Sequence, residues 1–189
     1  MQTNKKLKRL VVTAVMIALA TALSFIRFQM PLGGEITLLS LVPIALISIE
    51  YGIGWGTLGA FVYSLIQLGI QLSLIFTWGL STTALIGTFL LDYILAYTAV
   101  GLSGLFRKKG VLGVLAGIAV ALLVRFVFHV ISGTIIFDVW MPEGWSNPFV
   151  YSLCYNAVYI APEMALTMIG SVILFKTPSF NKLVDSNME

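Results

Sequence analysis

From Gly110 to Phe137 the chain runs for 28 residues in which only Arg125 and His129 carry a titratable side chain. A helix needs about 20 predominantly apolar residues to cross a bilayer. This stretch therefore reads as a transmembrane span, and the rest of the chain has to accommodate it. Arg125 is the one basic residue deep in an apolar run, and His129 is the one histidine of the protein. Four residues apart, they share a helix face, with Ser132 and Gly133 a turn further along. An arginine near mid-span costs about 2.5–3.5 kcal/mol on insertion scales, and such residues face the bundle interior or a water-filled cavity. Arg125 alone could simply tie helices together through an acid. His129 with its small neighbours reads better as part of a site.

Of the 189 residues, 59% are hydrophobic and 10% charged, against roughly 25% charged in soluble domains. The class is an integral membrane protein, all-α, with residues 1–189 as a single domain. The one cysteine, Cys154, lies in an apolar segment, which excludes a disulfide framework and a cysteine-based metal cluster. The basic pI near 9.1 comes from residues at span ends, where membrane topology explains them. No nucleic-acid role follows.

In chain order, a basic cap (1–9) with Lys5, Lys6, Lys8 and Arg9 precedes a first span over about Leu10–Ile26. Ala14, Ala18 and Ala22 recur on it every four residues. On spacing alone this ridge reads as ordinary internal packing of small residues against a neighbouring helix. Arg27 to Glu35 reads as a loop punctuated by Pro31-Leu32-Gly33-Gly34. A short second span with Pro43 covers about Ile36–Ile49, and Glu50 to Gly56 reads as a turn. The third span, about Thr57–Phe76, carries Gln67 and Gln71 on one face. The fourth runs over about Ala84–Phe106 with Asp92 and Tyr93 in its first half, and ends at the turn Arg107-Lys108-Lys109-Gly110. The fifth is the stretch already described. A loop from Asp138 to Pro148 leads to a sixth span over about Phe149–Phe175, and a polar tail (177–189) follows.

Six spans put both termini on one side. That side holds nine basic residues at the cap, the 107–109 turn and the tail, whereas the opposite loops hold only Arg27. The positive-inside rule makes it cytoplasmic. Trp55, Trp78, Trp140 and Trp145 fall near span ends, where interfacial belting is the default; Trp140 and Trp145 could also cover an external pocket. Counting about 1.5 Å per helical residue, Asp92, His129 and Asn156 each lie about 12 Å below the outer surface. Arg125 and Glu163 meet deeper, as a structural ion pair beneath the site.

An accepting Asp, a His and Asn that donate and accept, and tyrosines at Tyr93, Tyr151 and Tyr155 suit a small heterocycle. Aromatic faces attract cations, and a buried carboxylate without a cation is costly. The ligand is therefore expected to be positively charged or to bear an amino group. Catalysis is disfavoured: Ser132, His129 and Asp92 carry no nucleophile motif, and one histidine is too few for a hydrolytic metal site. No cofactor or metal is expected. No repeated pore element supports a channel.

At these residues the chain resembles the substrate-binding (S) components of energy-coupling-factor vitamin transporters, in their thiamine-specific branch. The carrying motifs are Pro31-Leu32-Gly33-Gly34 with Thr37 and Pro43, Tyr51-Gly52, and Leu91-Asp92-Tyr93 with Leu95-Ala96. Arg125-Phe126 with His129 and Gly133, and Tyr151-Ser152-Leu153 with Asn156, complete them. The resemblance implies a non-catalytic six-helix protein of the bacterial plasma membrane that captures thiamine from outside. Its ligand set would be Asp92, Tyr93, His129, Gly133, Phe137, Tyr151 and Asn156, with Phe137 where a tryptophan is usual and the loop after span one as a lid. Ala14 and Ala18, extended by Ala22, would dock on a transmembrane coupling subunit that works with two cytoplasmic ATPases, which reassigns the alanine ridge. A thiamine precursor or another amino-heterocycle, or a free-standing secondary transporter, are the alternatives.

Overall fold

The computed structural model describes residues 2–186; Met1 of the basic cap and residues 187–189 of the tail lie outside the described residues. Helix α1 (Gln2–Leu23) continues the first span back through the basic cap, because lysine and arginine are good helix formers. The expected loop is a two-stranded antiparallel hairpin. β1 (Arg27–Gln29) pairs with β2 (Glu35–Thr37) in the register Arg27↔Thr37, Phe28↔Ile36, Gln29↔Glu35. Gly33 turns it at φ +103°, a conformation glycine adopts without steric penalty.

Helix α2 (Leu41–Tyr51) is short and apolar, with ten of its eleven residues buried. Its burial on all sides is what a helix at the centre of a bundle requires. The expected turn over Glu50–Gly56 contracts to Gly52 alone, at φ +89°, and α3 (Ile53–Phe76) starts at the next residue. The fourth span is helical but irregular. It comprises α4 (Thr82–Thr88), a π-helical stretch Phe89–Leu95, α5 (Ala96–Thr98) and a 3-10 stretch Ala99–Gly104. Then come α6 (Gly110–Ile135), α7 (Pro148–Phe175) and α8 (Pro178–Ser186). The last is a correction to the polar tail. Phe180 and Val184 face the core cluster four residues apart, so a mostly polar segment still forms an amphipathic helix.

Among the described residues, four helical stretches are long and apolar enough to cross a membrane: Ile53–Phe76, Thr82–Gly104, Arg107–Ile135 and Pro148–Phe175. Large apolar side chains such as Leu112, Leu123, Ile135 and Ile173 project outward from them. The core packs α2 against α1, α3, the 3-10 stretch and α7. Glycines permit the closest approaches: a Cβ on Gly104 would overlap the Ser48 carbonyl oxygen and one on Gly101 the Thr57 backbone. Ser48 bridges the same contact, donating its hydroxyl to the Gly101 carbonyl and accepting from the Gly104 N–H at 2.9 Å. Gly104→Ala is expected to destabilise the fold by about 1–3 kcal/mol, as overpacking does where backbone cannot yield. A lowered unfolding midpoint in detergent checks this, and an unchanged midpoint contradicts it.

Candidate functional site

Asp92 and Tyr93 lie in the π-helical stretch. Its i→i+5 bonding distorts the regular helix, as such insertions often do at functional sites. Both Asp92 carboxylate oxygens meet donors from α6. Oδ1 is 2.9 Å from His129 Nδ1, and Oδ2 accepts the Ser132 hydroxyl at 2.5 Å. One turn back on the same face, Arg125 Nε donates to His129 Nε2 at 3.3 Å. The guanidinium reaches across to α7, where Nη2 lies 3.4 Å from Glu163 Oε2, each side chain only 5% exposed. Its carbon also sits 4.4 Å from the centroid of the Tyr97 ring, a cation–π contact. Glu163 Oε1 accepts from the Thr37 hydroxyl at 2.9 Å. A polar chain thus links Asp92, through His129, Arg125 and Glu163, to strand β2.

The α7 wall is built on a four-residue repeat. Tyr151, Tyr155 and Tyr159 follow one another at centroid spacings of 5.9 and 5.8 Å, the first pair tilted and the second edge-to-face, and Tyr159 meets the His129 ring edge-on at 6.0 Å. Asn156 donates from Nδ2 to the Ser152 carbonyl at 2.8 Å and to its hydroxyl at 3.1 Å, while Oδ1 accepts from Tyr159 at 2.6 Å. The amide is therefore largely satisfied within the fold, with acceptor capacity left on Oδ1. Ser152 donates its hydroxyl to the Val130 carbonyl on α6 at 3.0 Å. A Cβ on Gly133 would overlap that hydroxyl, so the glycine sets how closely α6 and α7 approach. Above this wall, Gly34 lies directly against the Tyr159 ring and Gly33 faces Tyr155. The hairpin is thereby seated on the tyrosine ladder.

Together these groups enclose a cavity of about 560 Å³, within the range usual for small-molecule sites. All seven residues expected to contact ligand line it: Asp92, Tyr93, His129, Gly133, Phe137, Tyr151 and Asn156. Arg125 and Glu163 do pair, but they also line the cavity rather than lying wholly beneath it. Sequence reasoning misses Tyr97, Tyr159 and Trp78, and gives Gly34, Glu35 and Thr37 only as parts of a motif or a lid loop, where the structure places them in the cavity lining. Trp78, Phe137 and Trp140 form one aromatic cluster with centroids 5.4–6.1 Å apart. The place of Trp78 near a span end suggests only an interfacial anchor, yet it faces the cavity; Trp140, a candidate cover for the pocket, lines it too. Trp145 packs against Tyr151 at 5.2 Å. Gln71 lines the cavity and accepts from the Tyr93 hydroxyl at 3.2 Å. Ala14, Ala18 and Ala22 lie elsewhere, all three exposed along α1.

The chemistry follows from this bonding. Ser132 is bonded to Asp92 rather than to His129, and His129 Nε2 is occupied by Arg125. His129 is therefore not placed as a base for the hydroxyl, and no Ser–His pair is assembled. Among the described residues, no three His, Cys, Asp or Glu side chains come together to hold a metal. What remains is a carboxylate with spare acceptor lone pairs, walled by aromatic rings.

Comparison with known proteins agrees with this architecture. The family model described as Thiamine transporter protein matches residues 10–182. The thiamine transporter ThiT of Bacillus subtilis (strain 168) is 32% identical over 192 aligned positions, covering 94% of this chain and 95% of that protein. ThiT of Lacticaseibacillus paracasei is 26% identical, over 89% of this chain and 87% of its own length. A solved structure of ThiT from Listeria monocytogenes shares the fold, with a TM-score of 0.76 at 21% identity and coverage of 95% and 98% of the two chains. With nearly its whole length matched in this way, the chain belongs to the thiamine transporter protein family.

Proposed function

We propose that this chain is the thiamine-binding, non-catalytic S component of an energy-coupling-factor transporter. One observation carries the reading: a carboxylate, Asp92, is presented to an aromatic-lined cavity of about 560 Å³ by two donors that leave it acceptor capacity. Thiamine offers a fixed cationic ring and an aminopyrimidine with N–H donors, which match that carboxylate in charge and hydrogen bonding. Tyr93, Phe137, Tyr151 and Trp140 supply faces for two flat rings. Gly133 keeps the wall thin, and Asn156 offers its remaining acceptor.

Six membrane passes with both termini cytoplasmic fit the basic-residue asymmetry. Helix α2, at eleven residues, spans only about 16 Å, so the hairpin supplies the remaining depth. Non-helical backbone is tolerated there where it lines a cavity. The cavity then opens outward beneath the hairpin, which acts as its cover. Ala14, Ala18 and Ala22 present the small-residue face to a transmembrane coupling subunit, with two ATPases driving release inward.

Intrinsic tryptophan fluorescence tests the ligand, because Trp78 and Trp140 line the cavity. Titrating the detergent-solubilised protein with thiamine should give saturable quenching at far lower concentration than its separate pyrimidine or thiazole halves. No saturable signal by fluorescence or calorimetry would overturn thiamine as the ligand.

A further inference from the structure

The turn between the fourth span and α6 carries three basic residues that the ligand site does not use. Arg107 is committed to the fold: its Nη1 donates to the Ile49 and Glu50 carbonyls at 3.3 and 2.7 Å, at the end of α2. Lys108 and Lys109 are exposed, and among the described residues neither pairs with a carboxylate. The first turn of α6 holds no acidic residue either. Beside Lys109 opens a groove of about 380 Å³, lined by Phe106, Lys109, Leu112, Gly113 and Ala116. Lys109 Nζ lies 5.5 Å from the Phe106 ring centroid, which keeps the ammonium at the groove. The remaining lining is apolar. Leu112, 78% exposed, is the most exposed large apolar side chain among the described residues, and Ala116 is exposed as well. From Lys109 to Ala116 the groove follows α6 for about 10 Å. Its closed end depends on Gly113, where a Cβ would overlap the Phe106 carbonyl oxygen.

We propose that this groove binds one anionic phospholipid, its phosphate on Lys109 and Lys108 and one acyl chain along Leu112 and Ala116. Charge complementarity selects the occupant. An uncharged lipid or an apolar helix would cover the groove and leave two ammonium groups without a counter-charge. A phospholipid phosphate meets the charge while its chain fills the apolar part. Lysine suits this place, because its stem lies along apolar surface while its head reaches the headgroup level. The groove also lies apart from the helix proposed to meet the coupling subunit: α6 packs against α7 and the fourth span, whereas the alanine ridge is on α1. That the inner leaflet supplies the lipid rests on the proposed cytoplasmic placement of the 107–109 turn; the groove and its charge do not.

Native mass spectrometry of the detergent-solubilised protein, titrated with phosphatidylglycerol or with phosphatidylcholine of the same chains, reads this site. One phosphatidylglycerol should be retained about 25-fold more tightly than phosphatidylcholine, about fivefold for each lysine. Lys109→Gln should lower that preference about fivefold. Ala116→Phe fills the groove, keeps every charge and should remove the bound lipid. Both positions are exposed, and a thermal melt of each variant checks that it folds. Lys5→Gln/Lys6→Gln, in the basic cap, controls for general surface charge and should leave the lipid in place. Equal loading of the two lipids, retention that survives Ala116→Phe, or loss in the cap variant equal to that in Lys109→Gln would each overturn the proposal. So would a dimer of the unmodified protein that Ala116→Phe abolishes, since a second copy would then occupy the groove. The samples contain no thiamine and no membrane sides, so failure here is told apart from failure of the proposed ligand or orientation.

Discussion

Asp92→Asn is expected to weaken thiamine binding by about 100-fold, the upper end of what loss of a charge-assisted hydrogen bond, about 1.5–3 kcal/mol, produces. The substitution keeps the shape of the side chain and removes its charge. Oδ1 can still accept from His129 Nδ1. The Ser132 hydroxyl, which now donates to Oδ2, can rotate to accept from the new amide. The helix contacts made by Asp92 are therefore retained, and the unfolding midpoint without ligand should barely move. The cationic ring loses its counter-charge in a cavity shielded from bulk water, where electrostatic interactions are stronger than in solution. Calorimetric titration of wild type and variant, with a thermal melt of each apoprotein, separates the two effects. Unchanged affinity would remove Asp92 from the ligand site. A collapsed melting point would make it a structural tie between the fourth span and α6.

How far the sequence leads is clearest at this residue. Hydropathy places Asp92 in the fourth span, and counting helical rise puts it level with His129 and Asn156. The structure brings Asp92 and His129 into contact and puts Asn156 on the same cavity. The same count pairs Arg125 with Glu163, and they do meet. This works because long helices in a bilayer have few freedoms beyond depth and rotation. The π-helical turn around Asp92 is not legible, since its composition is that of any apolar helix and the extra residue leaves no periodic trace over seven positions. The hairpin is hidden for a related reason: three-residue strands are too short to display an alternating pattern. Tyr159 has a signal, the four-residue spacing from Tyr151 and Tyr155, which reading the tyrosines as a helix face would find. The link from Thr37 to Glu163 has none, because it joins positions 126 residues apart.

The second large effect is expected on α1 and in a different assay. Ala14→Trp or Ala18→Trp should abolish thiamine uptake by cells while leaving binding to the purified protein intact. Helix α1 meets the rest of the fold through Thr13, Ile17, Ala20 and, just past its end, Ser24, which are buried. Trp55 donates to the Thr13 hydroxyl at 2.7 Å, and Gln67 to the Ser24 hydroxyl at 3.0 Å. Ala14, Ala18 and Ala22 lie on exposed positions, so an indole there disturbs no contact of this chain. A small-residue ridge in a membrane is what allows a second helix to approach closely, and a bulky side chain prevents that approach. Leu123→Trp, on an outward-facing position of α6, controls for the effect of an added indole in lipid and should leave uptake unimpaired. Loss of binding in the α1 variants would mean the ridge packs internally after all. Uptake that persists in the Ala14→Trp/Ala18→Trp double variant would mean that no partner helix docks on this face, and transport would have to proceed through this chain alone.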